Sequence, residues 1–205
     1  PASGSDEDIF AAWAAEQVWE SLYDRKKLHQ VLTEAMVWNG ITGNAFIKCV
    51  WDKNLVDPTF KDATGQEIPG DIRYGVVTPY HLFVPDLLLV DLQDQPYVFE
   101  AYTKPVVWVK HYFQGLLEKP VTPNICSRSE IFENRYFNGE QGKEATPDAV
   151  LIIECYIKPG GCEMLPYGGM VTLVGDEIVQ ISQEFPFSHG NYPYAHFGHI
   201  PTGKF

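Results

Sequence analysis

The segment from Asp24 to Asp52 constrains the fold most, because its pattern predicts an amphipathic helix that passes directly into a β-strand. Apolar residues recur on one helical stripe, at Leu28, Val31, Leu32, Ala35 and Met36. Asn39-Gly40 supplies a residue that adopts the left-handed conformation easily, which is typical of helix ends. A strand should follow with one face formed by Ala45, Ile47, Cys49 and Trp51. We therefore expect the helix and the strand to make the first core contact.

A second helix is predicted upstream, because Ser5 to Asp8 resembles a capping box with acidic residues at the helix start. Large and small apolar residues follow at spacings of three and four, at Phe10, Trp13, Ala14, Val18 and Leu22. An aromatic stripe of this kind is more typical of a core or a subunit interface than of a cofactor site. Since no proline or glycine separates Tyr23 from Arg25, either one bent helix or two helices meeting at Asp24 fit the pattern.

The remainder of the chain predicts strands joined by turns. Alternating or apolar runs indicate strands at 71–77, 97–102 and 149–158, and Pro105 and Gly115 bracket a short helix after the second of these. Gly175-Asp176 predicts a hairpin with a type II′ turn.

Three further stretches are less regular. Residues 53–70 predict a surface loop or a loose hairpin, because turn formers cluster there without periodicity. Residues 87–90 fit either a buried helical turn or a short strand. The final aromatic stretch, 184–205, should lie extended across the surface of the sheet.

Together these patterns predict an α+β fold in which N-terminal helices pack on mixed or antiparallel strands. Residues 1–115 should hold the helices and the first strands. Residues 116–148, which contain three prolines and mixed charge, should form a loop or an insertion. Residues 149–205 should continue the β-rich part.

The charge balance argues against tight nucleic-acid binding. The 205 residues include 15 Lys and Arg against 27 Asp and Glu, a formal net charge of −12. Tight binding to duplex DNA requires basic side chains that neutralise many phosphates. We therefore expect any contact with DNA to be weak or repulsive.

Cysteine usage and hydropathy restrict the class of protein further. Cys49, Cys126, Cys155 and Cys162 form no CxxC pair, so neither a zinc ribbon nor a thioredoxin-like motif is present, and we expect reduced thiols of a cytoplasmic product. No apolar run approaches the roughly 18 residues of a membrane helix, and the N-terminus is acidic, so we expect no membrane partner. Because the chain starts at Pro1 and finishes without a closing helix, we expect a piece of a longer polypeptide.

Three histidines near the C-terminus invite a metal hypothesis. His189, His196 and His199 lie within eleven residues, with Glu184 nearby. However, Pro193 and Gly198 prevent the helical spacing that a HExxH site uses, so we favour histidines that hydrogen-bond the backbone.

No other pattern predicts a catalytic site. Ser188-His189 with Asp176 lacks the nucleophile elbow of a hydrolase. Gly160-Gly161 and Gly168-Gly169 lack the lysine and hydroxyl residue of a phosphate loop. We predict that the chain is not an enzyme and has no catalytic, cofactor-binding or metal-binding residue.

Five segments, in order, resemble the portal proteins of tailed bacteriophages, over about Ala14 to Phe205. They are VWESLYDRKKLHQVLTEAMVWNGITGNAFIKCVWD, GDIRYGVVTPYHLFVPD, PYVFEAYTKPVVWVKHYFQG, VLIIECYIKP and FPFSHGNYPYAHFGHIPTGKF. The chain departs from the family where Leu87 follows Asp86 in place of proline, and where the turn at Gly40–Gly43 is longer than in many members.

The resemblance implies a structural role. Portal proteins form twelve-fold rings at the unique capsid vertex, and this piece would be much of the wing. The ring would form the channel through which double-stranded DNA is packaged and ejected. The DNA would pass through this channel without being bound tightly. The implied partners are further copies of the chain in a dodecameric head-tail connector, the capsid protein, terminase and neck or adaptor proteins, with no cofactor. The implied location is the virion, after assembly in the host cytoplasm.

Two alternatives remain at this point. The chain could be a stand-alone head-tail adaptor or interaction module, in which case the reading frame would stop near Phe205. It could also be a metal-dependent hydrolase that uses the C-terminal histidines, in which case purified protein would hold zinc that His196→Ala removes.

Overall fold

The computed structural model describes residues 6–61, 64–89, 91–125 and 148–198, and it has the predicted α+β fold. These residues form three α-helices and eight strands in two antiparallel sheets. The helices are α1 (Asp6–Arg25), α2 (Leu28–Thr42) and α3 (Val106–Tyr112). The strands are β1 (Asn44–Lys61), β2 (Glu67–Val77), β3 (Leu82–Phe83), β4 (Tyr97–Pro105), β5 (Ala149–Ile157), β6 (Gly169–Val174), β7 (Glu177–Ser182) and β8 (Tyr194–Gly198).

The chain divides into two compact units. The first takes its residues from Pro1–Thr78 and Pro193–Ile200, and it contains α1, α2 and a three-stranded sheet in the order β2-β1-β8. The second takes its residues from Pro79–Tyr192 and Pro201–Phe205, and it contains α3 and a five-stranded sheet in the order β3-β4-β5-β6-β7. Most of the loop or insertion expected at 116–148 lies outside the described residues.

In the first unit, α2 packs on β1 as the sequence predicts. Ala35, Ala45 and Ile47 form a buried cluster, against which four partly buried side chains pack: Val31, Trp38, Tyr74 and Val76. The predicted helix end at Asn39-Gly40 is wrong by one turn. The helix continues to Gly43, which has a φ of 82° and donates its N–H to the Asn39 carbonyl at 2.8 Å. A glycine inside a helix costs only about 1 kcal/mol relative to alanine, and the Thr42 hydroxyl stabilises the added turn by donating to the Trp38 carbonyl at 2.9 Å.

The N-terminal helical pattern forms two helices. The break lies at Lys26-Lys27, and Lys27 adopts the left-handed conformation with a φ of 50°. Ser5, which would begin the predicted capping box, lies outside the described residues.

Most of the segment 53–70 lies in a long hairpin. A hairpin is one of the two arrangements that the sequence predicts for this segment. β1 pairs with β2 in antiparallel register from Phe46↔Val77 to Lys61↔Glu67. The register shifts between Asp52 and Val56 and again between Val56 and Lys61. Pro69, which has no N–H to donate, lies opposite Val56 between these two bulges.

In the second unit, the predicted strands at β4 and β5 and the helix α3 are confirmed. The hairpin between β6 and β7 is also confirmed, and Gly175 has the positive φ, 60°, that its turn requires. Six buried side chains form the core beneath α3: Val109, Phe113, Val150, Ile152, Val174 and Val179.

Two local predictions are wrong. Leu87 and Leu88 form an exposed turn instead of a buried helical turn or strand, because the Asp86 carboxylate accepts the Leu88 N–H at 2.8 Å; Val90 lies outside the described residues. For the C-terminal stretch, the prediction is wrong at residues 194–198, although Phe187 does stack on Tyr156 of β5. Residues 194–198 pair with β1 as an edge strand, and residues 199–205 lie outside the described residues.

Candidate assembly surface

The first candidate surface is α1, every residue of which is described and none of which is buried. Five large apolar side chains of α1 are more than half exposed: Ile9, Phe10, Trp13, Val18 and Trp19. The sequence assigned this aromatic stripe to a core or a subunit interface. Exposure of Phe10 at 67% and Trp13 at 56% excludes the core within the described residues. Several large apolar side chains exposed on one helix are typical of an interaction site.

Helix α2 adds exposed apolar side chains of its own. They form two pairs spaced by four residues, Leu32 with Met36 and Val37 with Ile41. The predicted core stripe of this helix is therefore too wide, because Leu28 and Ala35 are buried whereas Met36 is 74% exposed. We call the nine exposed apolar side chains of α1 and α2 the helical apolar surface.

Ion pairs connect the junction between α1 and α2 to the first sheet. The Lys26 Nζ and the Arg25 Nη2 both contact the carboxylate of Asp71 on β2, the second at 3.7 Å. Asp71 is 8% exposed and also accepts the Ile72 N–H at 2.7 Å. Burial favours the neutral form of Asp71, but the hydrogen bonds from Lys26 and Ile72 and the charges of Lys26 and Arg25 together hold its pKa below the usual range. The charged carboxylate thereby holds the basic end of α1 on the sheet.

A polar row interrupts the buried face of the second sheet. Glu100, Glu154 and Thr172 lie directly opposite one another on β4, β5 and β6. Tyr102 donates to the Glu154 Oε1 at 2.7 Å, and Tyr156 donates to the Oε2 at 2.9 Å. This arrangement, with a donor on each oxygen, fits a carboxylate fixed within the sheet.

Electrostatics keep both tyrosines as donors. Burial, and then the negative charge and hydrogen bond of Glu154, raise the pKa of Tyr102 and Tyr156 well above the usual value. The sequence analysis did not single out this row. The available signal was an acid at an inward position of an otherwise apolar strand, Val98-Phe99-Glu100 in β4 and Ile152-Ile153-Glu154 in β5.

The structure places the candidate histidines in separate local environments. His189 accepts the Asn191 N–H at 3.0 Å, which is the backbone hydrogen bond that the sequence analysis favoured, and its ring stacks on Phe187. His196 lies 2.9 Å from the Asn44 side-chain oxygen and stacks on Phe46. Within the described ranges no three His, Cys, Asp or Glu side chains converge as metal ligands, and His199 lies outside them.

The cysteines are the remaining titratable residues that could act as nucleophiles. Among the described residues Cys49, Cys155 and Cys162 are free, and Cys126 lies outside this set. Burial raises the pKa of Cys155 to about 11, with a smaller contribution from Cys162. Cys155 therefore stays protonated near neutral pH, which makes it a poor nucleophile.

Comparison with protein-family models gives no match, and comparison with curated protein sequences gives none either. In the described part of the chain, no helix is long and apolar enough to cross a bilayer. The resemblance to portal proteins therefore rests on the sequence segments themselves.

Proposed function

We propose that this chain is part of a phage portal subunit, a structural protein whose copies form the ring through which double-stranded DNA enters and leaves the capsid. The observation that carries the proposal is α1, a helix of 20 residues with no buried side chain and five exposed large apolar ones. A helix with this surface is typical of a protein–protein contact, because exposed aromatic area of this size is unfavourable in water. A repeated subunit supplies that cover.

Two further features support a structural role in a DNA conduit. The net charge of −12 suits a wall along which DNA slides instead of binding tightly. The ionisable groups singled out so far also have structural explanations, since Asp71 anchors a helix junction and Glu154 is fixed by two tyrosines. Terminase, neck proteins and the capsid protein are the partners that such a ring would dock.

Electron microscopy of the full-length product tests this proposal. We expect closed rings of about twelve subunits, formed by head-to-tail contacts that close by rotation. A monodisperse monomer at high protein concentration would contradict the proposal.

A stand-alone head-tail adaptor is the second candidate, since the helical apolar surface could serve a different protein equally well. The reading frame beyond Phe205 separates the two. A portal subunit must continue for several hundred residues that include long helices, whereas an adaptor would stop.

A further inference from the structure

We propose that α1 of one subunit docks along α2 of the next copy of this chain, with the acidic first turn of α1 beside the basic start of α2. This inference rests on the proposed ring and names the contact that builds it. Both surfaces belong to the first compact unit, and both are described in full.

The apolar side chains of the two helices match in length and character. α1 has 20 residues and α2 has 15, which correspond to about 30 Å and about 22 Å of helix. The exposed residues of α1 extend from Ile9 to Trp19, and those of α2 from Leu32 to Ile41. Ten or eleven residues on each helix can therefore lie side by side.

The charges fix the direction of the pairing. The first turn of α1 carries Asp6, Glu7 and Asp8, all exposed. The junction between α1 and α2 carries three cations, Arg25, Lys26 and Lys27, of which the first two contact Asp71. Lys27 is exposed, so its ammonium faces solvent. When the two helices run parallel, the acidic turn lies beside this basic segment and the apolar parts also align.

The exposed apolar area of α1 supplies a substantial part of one side of an interface. Aromatic side chains bury about 150–250 Å² each, so Phe10, Trp13 and Trp19, each more than half exposed, leave on the order of 300 Å² in solvent. The four exposed side chains of α2 form the facing side on the other partner, so this helix pair supplies part of the roughly 800 Å² that each partner contributes to a standard interface.

A pairing of α1 with α2 uses two different surfaces of one subunit. Such a contact is head-to-tail, so it leaves one surface open on each end of any incomplete assembly and can close into a ring. A pairing of α1 with α1 would instead be two-fold and would stop at a dimer. The two arrangements therefore predict different products when defective subunits are mixed.

The experiment uses full-length protein with one lysine on either helix. Trp13→Lys blocks the α1 surface and Val37→Lys blocks the α2 surface; both positions are more than half exposed, so the fold should survive. Each variant alone should assemble more than about tenfold more weakly than the wild type. A mixture should give a complex of two subunits, because only one intact pair of surfaces remains. Val107→Lys, at an 80% exposed valine of α3, is the matched control and should assemble normally.

Each of the other outcomes contradicts either the proposed function or the α1 to α2 contact. Wild-type protein that stays monomeric removes the proposed function and this inference with it. Wild-type rings that both variants also form leave the proposed function standing and remove only the α1 to α2 contact. Dimers of Val37→Lys alone, with monomeric Trp13→Lys, would replace it with a two-fold α1 pairing. Circular dichroism of each variant confirms folding, and Trp19→Lys and Ile41→Lys provide a second pair if either fails.

Discussion

At the scale of single residues, Gly40 and Gly43 differ in backbone conformation and in little else. Neither has a heavy atom within 4 Å of the position that a Cβ would occupy, but only Gly43 has a positive φ, 82°. Gly40→Ala should stabilise the protein by about 0.5–1 kcal/mol, because alanine is the better helix former. Gly43→Ala should destabilise it by about 1–2 kcal/mol, because a Cβ is unfavourable in the left-handed conformation. Thermal melts followed by circular dichroism measure both, and equal signs would contradict the helix end at Gly43.

Asp71 should give the first unit a specific sensitivity to acid. Its pKa is lower in the folded protein than in the unfolded chain, where it is about 3.9. The stabilisation is therefore complete above that pH and is lost as the pH falls through the lower folded value. Asp71→Asn should cost roughly 1–3 kcal/mol at pH 7, and the variant should lose less stability than the wild type between pH 5 and pH 2. Melting temperatures at a series of pH values measure this difference.

The matched control for Asp71 is Glu34→Gln, which removes an exposed carboxylate of α2. Its effect at pH 7 should be within about 0.5 kcal/mol. A wild-type acid transition that Asp71→Asn leaves unchanged would show that the contact with Lys26 contributes nothing to stability.

At the scale of elements, the tyrosines that donate to Glu154 should couple β4 and β5 to alkaline pH. Tyr102→Phe and Tyr156→Phe each remove one hydrogen bond to a carboxylate and should each cost roughly 1–3 kcal/mol. Because the pKa of each tyrosine is raised on folding, the stabilisation is complete below the unfolded value of about 10 and is lost as the pH rises above it. Urea unfolding at pH 8 and pH 11 measures the loss, which should be smaller in the variants.

Tyr97→Phe is the control for this pair, because the Tyr97 hydroxyl has no hydrogen-bond partner within the described residues. It should change stability by less than about 0.5 kcal/mol. An equal effect at all three tyrosines would mean that aromatic packing alone matters in this sheet.

Elements with local signals could be predicted from the sequence. Pro105 lies at the N-cap of α3 and Gly175 forms the turn of the β6 to β7 hairpin, because both act through their own backbone geometry. Features that depend on distant residues were missed. The pairing of β8 with β1 and the contact of Lys26 with Asp71 depend on partners far along the chain. The sequence also could not show whether the aromatic stripe of α1 is buried in the core or exposed at the surface.

At the scale of the whole molecule, each unit has its own buried core, so a core mutation should act within one unit. Ile152 is fully buried in the second unit, and Ile152→Ala should cost about 2–5 kcal/mol there. Amide hydrogen exchange should show lost protection in β4 to β7 and unchanged protection in β1 and β2. Ile181→Ala, at a 56% exposed site on β7, is the control and should leave both patterns unchanged. Equal loss in both units would indicate one cooperative fold.

The order of strands in the first sheet also governs when that sheet can be completed on the ribosome. β1 and β2 leave the ribosome early. The third strand of their sheet, residues 194–198, pairs with β1 and is synthesised more than a hundred residues later. The five strands and the α-helix of the second unit all precede that point, and domains generally fold as units during synthesis. The early hairpin must therefore wait with one edge unpaired while the middle of the chain folds, and a nascent chain stalled before residue 194 should be the species most in need of a chaperone.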